Sequence, residues 1–170
     1  MINQTDNNFL DISKLLSGEL ERLSFDLGEI PFPNDNEEIA VSSLRFSGEA
    51  KDISGFIRLI GTITGEYSAP CARCLAPVVR NFTIEIDLSV VTAPTESDED
   101  VILAEGQKID LGTFVCETVF INLPLRLLCR EDCKGLCPKC GQDLNKSSCE
   151  CDHKEIDPRL AGLADFFKDK

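Results

Sequence analysis

The clearest period in the chain runs from Phe82 to Val90, where Phe82, Ile84, Ile86, Leu88 and Val90 alternate with Thr83, Glu85, Asp87 and Ser89. Successive side chains of a strand point to opposite faces, so this pattern predicts a strand with one buried and one wet face. Such half-covered strands belong to antiparallel sheets. Two further strand-like runs precede it, over residues 39–51 and 55–67, separated by the turn Asp52-Ile53-Ser54-Gly55. Upstream of these, Leu23, Phe25 and Leu27 alternate with polar residues until Pro31 and Pro33 break the pattern, and residues 34–38 read as an acidic turn. Residues 9–16 fit a strand end or a short helix closed by Gly18.

The period changes at Asp110. Leu111, Phe114, Val115, Thr118, Val119 and then Asn122 or Leu123 recur at helical spacing, Asp110 stands where a cap is needed, and Pro124 ends the run. Residues 156–167 read as a turn and a short amphipathic helix, with Leu160, Leu163, Phe166 and Phe167 available to dock on the body or on a partner, the body being the simpler reading. The predicted fold is α+β: a twisted antiparallel sheet, meander or partly open barrel, with one or two packed helices and a C-terminal cysteine-rich module. The chain divides into residues 1–125, which hold the sheet, the 110–123 helix and an acidic loop at 95–100, and residues 126–170, which hold the module and the terminal helix.

Charge sharpens that division. The net charge is -13, and residues 1–125 carry all of it, with 8 Lys and Arg against 21 Asp and Glu; residues 126–170 balance at 9 against 9. A protein that grips phosphates needs a basic face. This chain offers only a local group in Arg126, Arg130, Lys134, Lys139 and Lys146, most simply a solvated mixed-charge surface. The acidic body suits basic proteins better than nucleic acid. The opening residues lack the basic start of a signal peptide and no apolar run is long enough to span a bilayer, which predicts a cytoplasmic protein with no membrane partner.

In a reducing compartment the nine cysteines read as metal ligands rather than disulfides. Cys129, Cys133, Cys137, Cys140, Cys149 and Cys151 follow one another as C-x3-C-x3-C-x2-C-x8-C-x-C, and Cys71 and Cys74 form a separate C-A-R-C between the second and third long strands. Cys116, in an apolar stretch, is the one left over and reads as a core hydrophobe. Eight thiolates suffice for two four-cysteine zinc sites. Two groupings stay open: Cys137, Cys140, Cys149 and Cys151 on one ion with Cys71, Cys74, Cys129 and Cys133 on another, or the two C-x-x-C pairs joined to each other. Either way one or two zinc ions would be structural, because four thiolates leave no position for water or substrate.

No catalytic constellation emerges and no small-molecule substrate is indicated. His153 is the only histidine; His153-Lys154-Glu155 resembles the H-x-E of zinc deaminases, but in those the P-C-x-x-C follows whereas here Cys137 and Cys140 come first. His153 could replace one cysteine as a ligand, but an exposed histidine beside charged neighbours is the plainer reading. Oxidation of clustered zinc thiolates offers a runner-up: a redox-switched zinc chaperone, although its C-x-C and C-x-x-C stand in the opposite order.

The segments Cys71-Ala-Arg-Cys-Leu75, Ile121-Asn-Leu-Pro-Leu125, Cys129-Arg-Glu-Asp-Cys-Lys-Gly-Leu-Cys-Pro-Lys-Cys-Gly-Gln-Asp-Leu-Asn145 and Ile156-Asp-Pro-Arg-Leu-Ala161 together resemble the YceD family. The resemblance implies a non-enzymatic role in ribosome large-subunit biogenesis, needed for 23S rRNA accumulation. Joined to the acidic body, it suggests a protein that holds a basic ribosomal protein or an assembly intermediate, with direct rRNA binding as a further alternative.

Overall fold

The computed structural model describes residues 8–33, 39–93 and 101–151. The elements in chain order are β1 (Phe9–Asp11), the single helical turn α1 (Ser13–Leu16), β2 (Arg22–Asp26), β3 (Ala40–Ile53), β4 (Phe56–Pro70), β5 (Pro77–Val91), β6 (Val101–Leu103), β7 (Lys108–Asp110) and α2 (Leu111–Asn122). β2 to β5 form an antiparallel meander, and β6 joins β5 in parallel, giving the order β2-β3-β4-β5-β6. The sheet expected to be antiparallel throughout is thus mixed at this edge. β1 and β7 form a separate two-stranded antiparallel ladder. Val101–Leu103 and Lys108–Asp110 are too short to show a period, so only tertiary pairing reveals them as strands.

The β3–β4 hairpin closes on Ser54 and Gly55, with φ of 57° and 88°. Two left-handed residues give the turn whose twist matches its strands, and Asp52 Oδ1 accepts the Gly55 N–H at 2.7 Å. A bulge between Ser42 and Arg45 resets the phase of β3, with Ser43 at φ 53°. Val41 and Leu44, three apart, therefore both become buried, and Phe46 and Ala50 continue that face.

Phe46 is fully buried at the centre of the core. Its ring lies 4.9 Å from that of Phe25 and 6.1 Å from that of Phe114, so it joins sheet to helix. The ring occupies the space over Gly61, where an added Cβ would come within 2.7 Å of it. α2 is capped as expected: Asp110 Oδ1 accepts from Thr113 N at 2.9 Å and Oδ2 from its hydroxyl at 2.8 Å. Its buried side is Leu111, Gly112, Val115 and Val119, and it ends before Pro124. Among the described residues no helix is long and apolar enough to cross a membrane. The acidic stretches at 34–38 and 95–100, His153 and the expected helix within 156–167 lie outside the described residues.

Candidate metal centres

The β4–β5 connection is a knuckle that begins at Cys71. Cys71 N–H donates to Ala76 O at 2.8 Å and Leu75 N–H returns to Cys71 O at 2.9 Å, which turns both cysteines of C-A-R-C inward. Leu75 holds a φ of 61° there. The second knuckle, C-P-K-C-G, repeats the arrangement: Cys137 N–H reaches Gln142 O, Gly141 N–H reaches Cys137 O, both at 2.8 Å, and Gly141 sits at φ 74°. Leucine thus occupies in one knuckle the left-handed position that glycine fills in the other, at a cost of roughly 1–2 kcal/mol.

The tail brings the remaining ligands. Leu127 is buried with Cys71, Val78 and Cys133 in a small second core, and Leu127 O accepts from Ala72 N at 2.8 Å. This places Cys129 and Cys133 against the first knuckle. The eight thiols gather as Cys71, Cys74, Cys129 and Cys133 in one set and Cys137, Cys140, Cys149 and Cys151 in the other, the sulfurs of each within 4.8 Å of one another. Of the two groupings open to the sequence, this is the local one; the two C-x-x-C pairs do not share a site. Cys116 stands outside both, its thiol 3.7 Å from Pro31 O and pushed up by burial and then by Asp110 and Glu117.

The spacing fits a tetrahedral ion. Four sulfurs each about 2.3 Å from zinc would stand about 3.8 Å apart; Cys71 and Cys133 are 3.9 Å apart and Cys74 and Cys129 3.6 Å. A disulfide needs about 2.0 Å. The backbone is also arranged for thiolates. Cys129 N–H, 3.4 Å from Cys71 Sγ, leads the donors from Cys129, Arg73 and Cys74 that bring the Cys71 thiol down to about 6. Cys140 N–H, 3.5 Å from Cys137 Sγ, does the same for Cys137, again to about 6. Burial pushes Cys129 up to about 12, and the hydrogen bond with Cys140 pushes Cys151 up to about 12. Four thiolates so close repel one another, so ionising all of them requires a cation between them. Each set can hold one metal ion.

Two side chains absent from the sequence-based expectation complete the first site. Arg73, inside C-A-R-C, donates from Nη1 to Cys133 O at 2.7 Å and Glu131 O at 3.2 Å, while its own carbonyl accepts from Leu136 N at 3.1 Å. Asn145 donates from Nδ2 to Cys133 Sγ at 3.5 Å and accepts at Oδ1 from Lys134 N and Arg130 Nη2 at 2.8 and 2.9 Å. Such outer partners orient ligands. A guanidinium reaching carbonyls 58 and 60 residues away leaves no local signature.

The family model "Large ribosomal RNA subunit accumulation protein YceD" matches residues 59–167, a span containing both knuckles and all eight clustered cysteines. The chain belongs to the YceD family. YlbN of Bacillus subtilis is 30% identical over 158 residues, covering 88% of this chain and 92% of the relative. A Mycobacterium tuberculosis relative is 32% identical over 124 residues, and there the match spans only 58% of that protein. The Arabidopsis thaliana chloroplast protein named "Large ribosomal RNA subunit accumulation protein YCED homolog 1" is 36% identical over 62 residues, 36% of this chain and 19% of that relative. No solved structure matches the chain.

Proposed function

We propose that this YceD-family chain is a non-enzymatic factor in large-subunit biogenesis, needed for accumulation of 23S rRNA, and that it acts by holding a basic ribosomal protein or an assembly intermediate. Membership of the YceD family carries the first part of this reading. In it, residues 1–125 are the acidic body and residues 126–170 a module held by two structural zinc ions, one on Cys71, Cys74, Cys129 and Cys133 and one on Cys137, Cys140, Cys149 and Cys151. Zinc would supply no reaction there; it would tie the tail to the sheet.

The charges favour a protein partner over direct contact with rRNA. The body carries the whole net charge of -13. In the module, Arg130 is engaged by Asp132 and Asn145 and Lys146 by Asp143, while Arg73 and Arg80 donate to tail carbonyls. Each zinc with four thiolates adds two negative charges. The test is a salt titration of the purified, zinc-loaded chain against 23S rRNA fragments and against basic large-subunit ribosomal proteins. Binding to a ribosomal protein at physiological salt supports the reading; specific rRNA binding with a steep salt slope and no ribosomal-protein binding replaces it with direct RNA recognition.

One observation favours a second reading, the redox-switched chaperone. Cys140 is exposed, so peroxide can reach the second site from solvent. Peroxide treatment that releases zinc and creates binding of unfolded proteins would establish it.

A further inference from the structure

We propose that the outer edge of β5 docks an extended segment of a basic protein in which apolar and Lys or Arg residues alternate, a proposal that rests on the basic-partner reading above. β6 pairs with β5 only over Ser89, Val90 and Val91. Among the described residues nothing pairs with that side of β5 between Asn81 and Leu88, although its other side is bonded to β4 without a register shift; further back, Val79 O accepts from Arg80 Nη1 at 3.3 Å. Val91 O turns outward, where Ala104 N–H meets it at 2.8 Å. By the two-residue alternation of a strand, Asn81, Thr83, Glu85 and Asp87 aim their N–H and C=O groups to the same open side. A strand edge of this length is a template for another chain.

The two faces beside the edge say what that chain carries. A groove of about 880 Å³ runs along this stretch of β5, lined by Ile84, Ile86 and Leu88 together with Glu85 and Asp87, with Phe114, Thr118 and Val101 as walls. Ile86 is buried there but Ile84 and Leu88 are only half-buried, and apolar side chains of an added strand would lie against those two. On the opposite face the added strand would lie beside Thr83, Glu85 and Asp87. Asp87 holds Arg58 at 2.6 Å, whereas Glu85 has no ion-pair partner among the described residues. Alternate residues of the incoming strand are therefore apolar and cationic. A second copy of this chain fits poorly, because antiparallel pairing of two β5 edges sets Glu85 and Asp87 near their own counterparts and brings together two bodies of net charge -13.

The test uses the full-length zinc-loaded chain and three short labelled peptides: alternating valine and lysine, the same peptide N-methylated on alternate amides, and a scrambled sequence of equal composition. The alternating peptide binds best, N-methylation or scrambling weakens it at least about tenfold, and amide exchange slows at Asn81, Thr83 and Glu85. Thr83→Pro removes an outward N–H without touching the β4 ladder and gives a comparable loss, with circular dichroism and metal content unchanged. If that variant misfolds, the N-methylated peptide against the unaltered chain decides alone. Equal binding of all three peptides overturns strand addition and leaves only acidic attraction. Amides at 81–85 already protected in the free chain also overturn it, since the edge is then covered by the chain's own residues or by a second copy. Ribosomal-protein binding without peptide binding sinks the edge site but not the basic-partner reading; if neither binds, both fall.

Discussion

The two four-cysteine sets use the same ligands and the same knuckle but do different things to the chain. Cys74 and Cys129, which lie 3.6 Å apart, are 55 residues apart in sequence, whereas Cys140 and Cys149 are separated by nine. Closing the longer loop costs about 1.6 kcal/mol more entropy, and the first set meets that with a small core of its own, in which Cys71, Val78, Leu127 and Cys133 are buried. The second set has one buried cysteine, Cys137, and an exposed one, Cys140. Loaded with an ion, the first set would fasten distant parts of the protein, and the second would give shape to residues 137–151, which contain no helix or strand.

The substitution that breaks this comparison hardest is Cys71→Ser. It removes a ligand and part of the second core together, and because the free energy of structural zinc sites is folding free energy, the expected loss is on the order of several kcal/mol. Metal content should fall by one ion per chain and the melting temperature should drop steeply. Cys140→Ser should also lose one ion, yet leave the melting of the sheet nearly unchanged; its mark should be rapid proteolysis within residues 137–151. Equal thermal losses in the two variants would show that the sites are not independent. Arg73→Ala should retain both ions but weaken the first, with about tenfold faster loss of metal to a chelator and no change at the second. The smallest effect should come from Leu75→Gly, which relieves a left-handed leucine and should stabilise the chain by about 0.5 kcal/mol after the entropy of glycine is counted. Gly141→Leu should do the reverse in the second knuckle. Denaturant titration of both variants checks the pair.

Much of this difference was legible in the residues. The two short spacings after Cys137 favour a local site, and the position of C-A-R-C between two strand-like runs places it at a hairpin. The period over Phe82 to Val90 and the cap at Asp110 are likewise local signals, and both elements are present. What escaped has no local signal. β6 and the β1–β7 ladder are three residues per strand and exist through their partners. The bulge at Ser43 shifts a pattern that otherwise reads as regular alternation. Arg73 and Asn145 are ordinary polar residues until the tail comes back to the hairpin and gives them carbonyls and sulfurs to hold.

The span between the first knuckle and its other ligands also sets a clock during synthesis. Cys71 and Cys133 are 62 residues apart, which at ordinary elongation speeds means about 3–12 s between their translation. Throughout that interval the hairpin carries two thiols at its end while the other two cysteines of its set are still to be made. The β3–β5 meander is synthesised in full before Cys129 is added, so the sheet is available as the platform on which the last quarter of the chain is assembled.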